Sequence, residues 1–82
     1  MVEVLLYSKP GCCLCDEVKM KLGRLRDQHP FELKEVNILN DRDLFEEFKD
    51  QIPVVYISGR KAFKFHLDEK EFLKRLARAG RR

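Results

Sequence analysis

The chain has 82 residues, 44% of them hydrophobic and 38% charged, and its formal net charge is +3 at pH 7. This length and composition predict a single globular domain over residues 1–82 and exclude an intrinsically disordered chain. No apolar run reaches membrane-spanning length and no basic segment precedes the first apolar run, so we expect neither a membrane anchor nor a signal peptide.

Hydrophobic periodicity predicts a strand, a helix and a second strand in the first half of the chain. Residues 2–7 are largely apolar, which suits a strand that is buried on both faces. An amphipathic helix follows over residues 13–27 and ends at His29-Pro30. Its apolar residues recur at helical spacing and are Leu14, Val18, Leu22 and Leu25. Alternation then predicts a strand over residues 31–36.

A short helix and a third strand come next. Asn40 or Asp41 is the expected N-cap of the short helix, because both side chains can accept hydrogen bonds from free backbone N–H groups. The apolar face of this helix carries Leu44, Phe45 and Phe48. The third strand is predicted over residues 52–57, and Ser58-Gly59 is typical of a two-residue hairpin turn.

The chain closes with a returning strand and a helix. The strand is predicted over residues 61–66, with Phe63 and Phe65 on one face. Asp68 and Glu71 have the spacing of a capping box at the start of the last helix. The apolar residues of that helix are Phe72, Leu73, Leu76 and Ala77. The resulting order is β-α-β-α-β-β-α, in which a parallel strand–helix–strand unit and a hairpin form a four-stranded mixed sheet.

Three cysteines lie within the segment Cys12-Cys13-Leu14-Cys15, where the first strand gives way to the first helix. The free N–H groups and the dipole at a helix N-terminus favour a thiolate over a thiol. Cys12 is therefore our candidate nucleophile. Cys15 follows by nearly one helical turn on the same face and could resolve a mixed disulfide. Such clustering excludes a secreted disulfide framework and predicts a reducing, cytoplasmic location.

Two stretches, residues 7–16 and 52–55, resemble the glutaredoxin-like branch of the thioredoxin superfamily, in a small Cys-x-Leu-Cys-Asp form. The resemblance implies an α/β thioredoxin-like fold with helices on both faces of the sheet, and thiol–disulfide oxidoreductase activity. It also implies a cis peptide bond at Ile52-Pro53. There the exposed backbone of Ile52 would pair with a substrate strand.

The same resemblance implies roles in substrate binding for Lys9 and Asp68. In many glutaredoxins a lysine at the position of Lys9 helps to hold the thiolate and a carboxylate of glutathione, and a solvated loop lysine is the alternative interpretation. Asp68 falls where these proteins bind the γ-glutamyl end of glutathione after a glycine pair. That pair is absent here, so helix capping is the safer role for Asp68. Glutathione is accordingly expected only as a co-substrate, with no tightly bound cofactor.

Two alternative functions use the same cysteines. A metal-binding or metal-transfer module could hold Cu(I), zinc or an iron–sulfur cluster through Cys12, Cys13 and Cys15, which are soft donors. A binding module could also have kept the cysteines and lost turnover. Cys13 itself is a small apolar filler, a spare thiol, a glutathionylation site or a third metal ligand, and we predict no metal site in this protein.

The expected partners are a disulfide-containing protein or a glutathione mixed disulfide, together with a thiol electron donor, for a monomeric protein. We expect neither a nucleic acid nor a membrane as a partner. A cluster of basic residues does occur near the C-terminus, but no aromatic residues are interleaved with it. We interpret it as the solvated end of a helix, where cations suit the dipole. Its members are Lys74, Arg75, Arg78, Arg81 and Arg82.

Overall fold

A computed structural model of the protein describes residues 2–80. Within this range the elements are β1 (Glu3–Ser8), α1 (Cys13–Gln28), β2 (Glu32–Asn37), a 3₁₀ helix (Ile38–Asn40), α2 (Arg42–Phe48), β3 (Val54–Ile57), β4 (Arg60–Lys64) and α3 (Glu69–Gly80). The predicted order of strands and α-helices is confirmed. None of the helices in residues 2–80 has the length and apolar character needed to cross a membrane.

The four strands form one mixed sheet in the order β2-β1-β3-β4. Strand β1 pairs in parallel with β2 and antiparallel with β3, and β3 pairs antiparallel with β4. On one face of β1, Val4 and Leu6 are 0% and 1% exposed, whereas Leu5 and Tyr7 on the other face are half-buried. The first strand was predicted to be buried on both faces, but only one face is fully buried.

Helices cover both faces of this sheet, as predicted. Helices α1 and α3 pack on one face around a main core in which the rings of Phe31 and Phe72 meet edge to face at 5.4 Å. Helix α2 packs on the opposite face, where Tyr7 stacks on Phe48 with ring centroids 4.7 Å apart. This second, smaller core includes the cysteine loop, because Cys12 and Cys15 belong to it.

Helix α1 ends as expected, with the N–H of His29 bonded to the carbonyl of Leu25. The prediction that Leu14 belongs to its buried face is wrong, because Leu14 is 38% exposed. Cys15 takes the buried position instead and is 3% exposed. The buried stripe of the helix therefore starts at a cysteine.

Asp41 is the N-cap of α2, since its Oδ1 accepts the N–H groups of Asp43 at 2.9 Å and Leu44 at 3.3 Å. The 3₁₀ helix just before it was not predicted. It is capped by Asn37, whose Oδ1 accepts the N–H of Leu39 at 2.9 Å. Three residues are too few to show helical periodicity, so side-chain patterning could not reveal it.

The hairpin turn is confirmed, because Ser58 and Gly59 both have positive φ angles, 51° and 80°, as a type I′ turn requires. Strand β3 begins two residues later than predicted. Strand β4 ends at Lys64, because Phe65 adopts a φ of 68°. Phe63 is half-buried and Phe65 is exposed, so the prediction that they share a face is wrong.

Helix α3 is capped by Asp68, whose Oδ1 accepts the N–H of Glu71 at 3.2 Å. The carboxylate of Glu71 contacts Nε of Arg75 at 3.4 Å. Ala77 was predicted on the apolar face but is exposed, and Ala79 packs against the main core instead. Arg81 and Arg82, which belong to the predicted basic end, lie outside the described residues.

Candidate functional site

The cysteine loop is shaped by the turn that joins β1 to α1. Strand β1 ends at Ser8, and Gly11 in the turn has a φ of 78°, a conformation that glycine adopts without steric cost. Cys12 follows as the N-cap of α1, with extended φ and ψ of −96° and 112°. The turn therefore sets the sulfur of Cys12 at the end of the helix.

The two outer cysteines of the motif are in close contact. The backbone N–H of Cys15 donates a hydrogen bond to Sγ of Cys12 at 3.3 Å, so the sulfur occupies the place of a capping oxygen. Cys12 is half-buried, Cys13 is exposed and Cys15 is buried. All three are free thiols. The motif thus presents two accessible thiols and one that is shielded behind the first.

The buried cysteine holds its proton firmly. Burial is the main reason that the pKa of Cys15 rises from 9.0 to about 12. The hydrogen bond with Cys12 and the negative charges of Cys12 and Asp16 act in the same direction, while a backbone hydrogen bond from Lys9 lowers the pKa. Cys15 is therefore a thiol near neutral pH.

Ile52 shares the smaller core with the same cysteines. The peptide bond between Ile52 and Pro53 is cis, and Ile52 packs in the smaller core with Cys12 and Cys15. Ile52 is only 8% exposed, and its N–H donates to the carbonyl of Phe48 at 3.1 Å. The expectation of an exposed Ile52 backbone is thus wrong for the N–H group, which is already bonded within the fold.

The side chains of Lys9 and Asp68 lie outside this cluster. Lys9 is exposed and lines a polar cavity of about 350 Å³ beside the cysteine loop. The other lining residues include Ser8, Lys19, Glu35 and Asn37. Asp68 is exposed at the start of α3, where it serves as the cap. The structure therefore groups Cys12, Cys15 and Ile52, to which Pro53 is joined, and leaves Asp68 and the side chain of Lys9 outside the group.

Phe65 borders the site and was not predicted to do so. Its N–H donates to the carbonyl of Pro53 at 2.8 Å, and the N–H of His66 bonds back to the carbonyl of Lys64 at 2.8 Å. Phe65 is thus the central residue of a γ-turn, with a φ of 68° that is strained for a residue other than glycine. No sequence signal marks this turn, because the usual signal of a positive φ is glycine itself.

The three cysteines do not converge on one point. Cys13 is exposed while Cys15 is buried. In residues 2–80 no group of three His, Cys, Asp or Glu side chains is placed to hold a metal ion. The geometry therefore offers no support for a site that uses Cys12, Cys13 and Cys15 together.

Known proteins resemble the chain in both sequence and fold. Residues 3–77 match the family described as Glutaredoxin-like domain (DUF836). A Dictyostelium discoideum protein named "Glutaredoxin-like protein YDR286C homolog" is 28% identical over 74 residues, which covers 83% of this chain and 68% of the relative. The solution structure of protein Ne2328 from Nitrosomonas europaea matches with a TM-score of 0.80 at 26% identity, covering 92% of this chain and 91% of that one.

More distant structures share the fold alone. The X-ray structure of Fasciola hepatica thioredoxin matches with a TM-score of 0.65 at 17% identity, covering 95% of this chain and 80% of that one. The sheet order, the helices on both faces and these matches agree with one another. The chain therefore has a thioredoxin-like fold and belongs to the glutaredoxin-like domain family.

Proposed function

We propose that the protein is a thiol–disulfide oxidoreductase in which Cys12 attacks a disulfide and Cys15 resolves the product. The observation that carries this proposal is the hydrogen bond from the N–H of Cys15 to Sγ of Cys12 at 3.3 Å. In this bond the half-buried Cys12 sulfur caps the N-terminus of α1 and contacts the backbone of the buried Cys15. Membership of the glutaredoxin-like family supports a redox role for this arrangement.

In the first step the Cys12 thiolate attacks one sulfur of the substrate disulfide. A bond forms between Cys12 and that sulfur, and the substrate's own sulfur–sulfur bond breaks. The second substrate sulfur leaves as a thiolate and takes a proton from solvent. The enzyme is then joined to half of its substrate through a mixed disulfide.

In the second step Cys15 loses its proton and attacks the sulfur of Cys12. The Cys12–Cys15 disulfide forms and the rest of the substrate leaves as a thiol, so two electrons have passed to the substrate. Formation of the mixed disulfide removes the negative charge of Cys12, which is one cause of the raised pKa of Cys15. The resolving thiol therefore becomes easier to ionise at the stage that needs it. An external thiol donor restores the reduced pair.

The substrate in this proposal is a protein disulfide or a glutathione mixed disulfide. The carbonyl of Ile52, beside Pro53, is the backbone group offered to an extended substrate, since the N–H of Ile52 is bonded to Phe48. Lys9 would attract a substrate carboxylate from the edge of the site. Asp68 would accept a hydrogen bond from a longer ligand.

A set of single substitutions tests the assignment of roles. Reduction of oxidised glutathione and of a small disulfide-bonded protein would be followed for the wild type, Cys12→Ser, Cys15→Ser and the matched control Cys13→Ser. We expect Cys12→Ser to abolish turnover and Cys13→Ser to retain it. Cys15→Ser should accumulate a covalent adduct on Cys12, and the mass of that adduct identifies the substrate.

Two results would count against the proposal. No turnover above background by either the wild type or Cys12→Ser would favour a binding module that has lost catalysis. An adduct on Cys13 rather than Cys12 would mean that the nucleophile is wrongly assigned.

A further inference from the structure

A second cavity, of about 260 Å³, lies between the β3–β4 turn and helix α3. Three of its lining residues are arginines: Arg60, Arg75 and Arg78. Ser58, in the turn, lies beside them. The N–H of Ser58 bonds to the carbonyl of Glu3 at 2.9 Å. This places the cavity at the start of β1, at the opposite end of that strand from the cysteine loop.

The three guanidinium groups come from two separate elements. Arg60 is the first residue of β4, and Arg75 and Arg78 lie three residues apart on α3 and so share a face of that helix. In residues 2–80 one carboxylate, that of Glu71, is paired with this group, through Nε of Arg75 at 3.4 Å. Three arginines therefore line one small cavity, and one carboxylate of the described residues is paired with them.

Arg75 contacts an aromatic ring of strand β4. Its guanidinium carbon lies 5.6 Å from the ring centroid of Phe63, a cation–π contact that restricts the side chain. Arg78 also suits the C-terminal dipole of α3, but that effect does not account for Arg60, which belongs to a strand. Like charges that line one cavity repel one another, and a bound anion would relieve that repulsion.

We propose that this cavity binds a small phosphorylated molecule. Guanidinium groups pair with phosphate oxygens through two parallel hydrogen bonds, and three of them match a dianion better than a single carboxylate. The hydroxyl of Ser58 supplies a further donor. The small volume suits a phosphate or diphosphate group, since cavities for larger ligands start at about 300 Å³. Among residues 2–80 no aromatic side chain lines the cavity for base stacking, so a nucleic acid is not the proposed ligand.

Titration of the full chain with inorganic pyrophosphate, followed by NMR, tests the proposal. Sodium acetate and sodium chloride at matched ionic strength are the control salts. We expect saturable changes with pyrophosphate alone, confined to the amides of residues that line the cavity, which include Ile57, Ser58, Ala62 and Ala79 besides the three arginines. Changes that any salt reproduces, or that spread over all the basic surfaces, would overturn the proposal as simple charge screening.

Variants distinguish a built site from general basicity. Arg60→Gln and Arg78→Gln should each weaken pyrophosphate binding by about tenfold, because a charge-assisted hydrogen bond is lost. Arg24→Gln and Arg42→Gln, at exposed positions outside the cavity, are matched controls that should bind as the wild type does. Equal weakening in all four would refute the site. Tighter binding of a single-stranded oligonucleotide than of pyrophosphate would also refute it. Urea unfolding of each variant shows whether the fold is kept.

Discussion

Alkylation of the folded protein should separate the three cysteines by reactivity, with Cys15 far slower than Cys13. The thiolate is the reactive form, and burial raises the pKa of Cys15 from 9.0 to about 12. At about pH 8, roughly one in ten thiols with a pKa of 9.0 is ionised, against roughly one in 10⁴ for Cys15. Ionisation alone therefore slows Cys15 by about 10³. Its 3% exposure slows it further.

The assay is a time course with iodoacetamide, in which the modified sites are located by fragmentation mass spectrometry. We expect Cys13 and Cys12 to be labelled while Cys15 stays intact, and denaturing urea to bring all three to similar rates. The urea sample is the internal control, because it removes burial without changing the sequence.

Substitution of Cys12 separates the effect of burial on the pKa of Cys15 from the effect of Cys12. Cys12→Ser removes the charge of Cys12, so the alkylation rate of Cys15 should rise but stay well below its rate in urea, since burial is the leading cause. Cys13→Ser, at an exposed position, should leave the rate unchanged. The reasoning fails if folded wild-type Cys15 reacts within about tenfold of Cys13. It also fails if, in folded Cys12→Ser, Cys15 is alkylated as fast as in denaturing urea.

Three further predictions concern stability, measured by urea unfolding. The pKa of Cys15 is higher in the folded protein than the unfolded value of 9.0. The protonated thiol therefore contributes fully to folding stability below pH 9.0, and this contribution is lost as pH rises towards 12. Above pH 9.0 the free energy of unfolding of the wild type should fall by up to about 1.4 kcal/mol per pH unit more than that of Cys15→Ala. Parallel pH profiles of the two proteins would contradict this. Ser58→Asn should stabilise by about 0.5 kcal/mol, because asparagine tolerates the positive φ of Ser58. Gly59→Ala should destabilise by about 1 kcal/mol, and the opposite signs would refute the turn assignment. Asp41→Ala should cost about 1 kcal/mol through loss of the N-cap, against a smaller effect of Asp43→Ala, and equal losses would remove the cap as the cause.

The order of elements was predictable because periodicity is a local property of each segment. The errors fall where tertiary contacts override it. Leu14 fits the helical spacing, yet Cys15 is the residue that faces the smaller core. Phe65 continues the alternation of β4, yet its N–H bonds to Pro53 and the strand ends. In both cases a contact with a neighbouring element determines which residue is buried or where the strand ends, and the segment's own sequence does not contain that contact.

The cysteine site could be predicted from the sequence to a greater extent than the cavity lined by arginines. Cys12 and Cys15 are three residues apart, so helical geometry alone brings them into contact. The approach of Ile52 to these cysteines was expected only from the resemblance of residues 52–55 to the family. Arg60 meets Arg75 only through the packing of β4 against α3. No local pattern joins residues on a strand and a helix in this way.

The position of the arginine cavity implies that ligand binding there leaves thiol reactivity nearly unchanged. Strand β1 separates the two sites, and its six residues span roughly 17 Å. In water a unit charge at that distance changes the energy of a Cys12 thiolate by about 0.2 kcal/mol, and the Debye length of about 8 Å at physiological salt reduces this further. A bound dianion should therefore alter the alkylation rate of Cys12 by less than about twofold. A change of about tenfold at saturating pyrophosphate would exceed what charge can transmit, and would mean that the two ends of the sheet are coupled through a change in conformation.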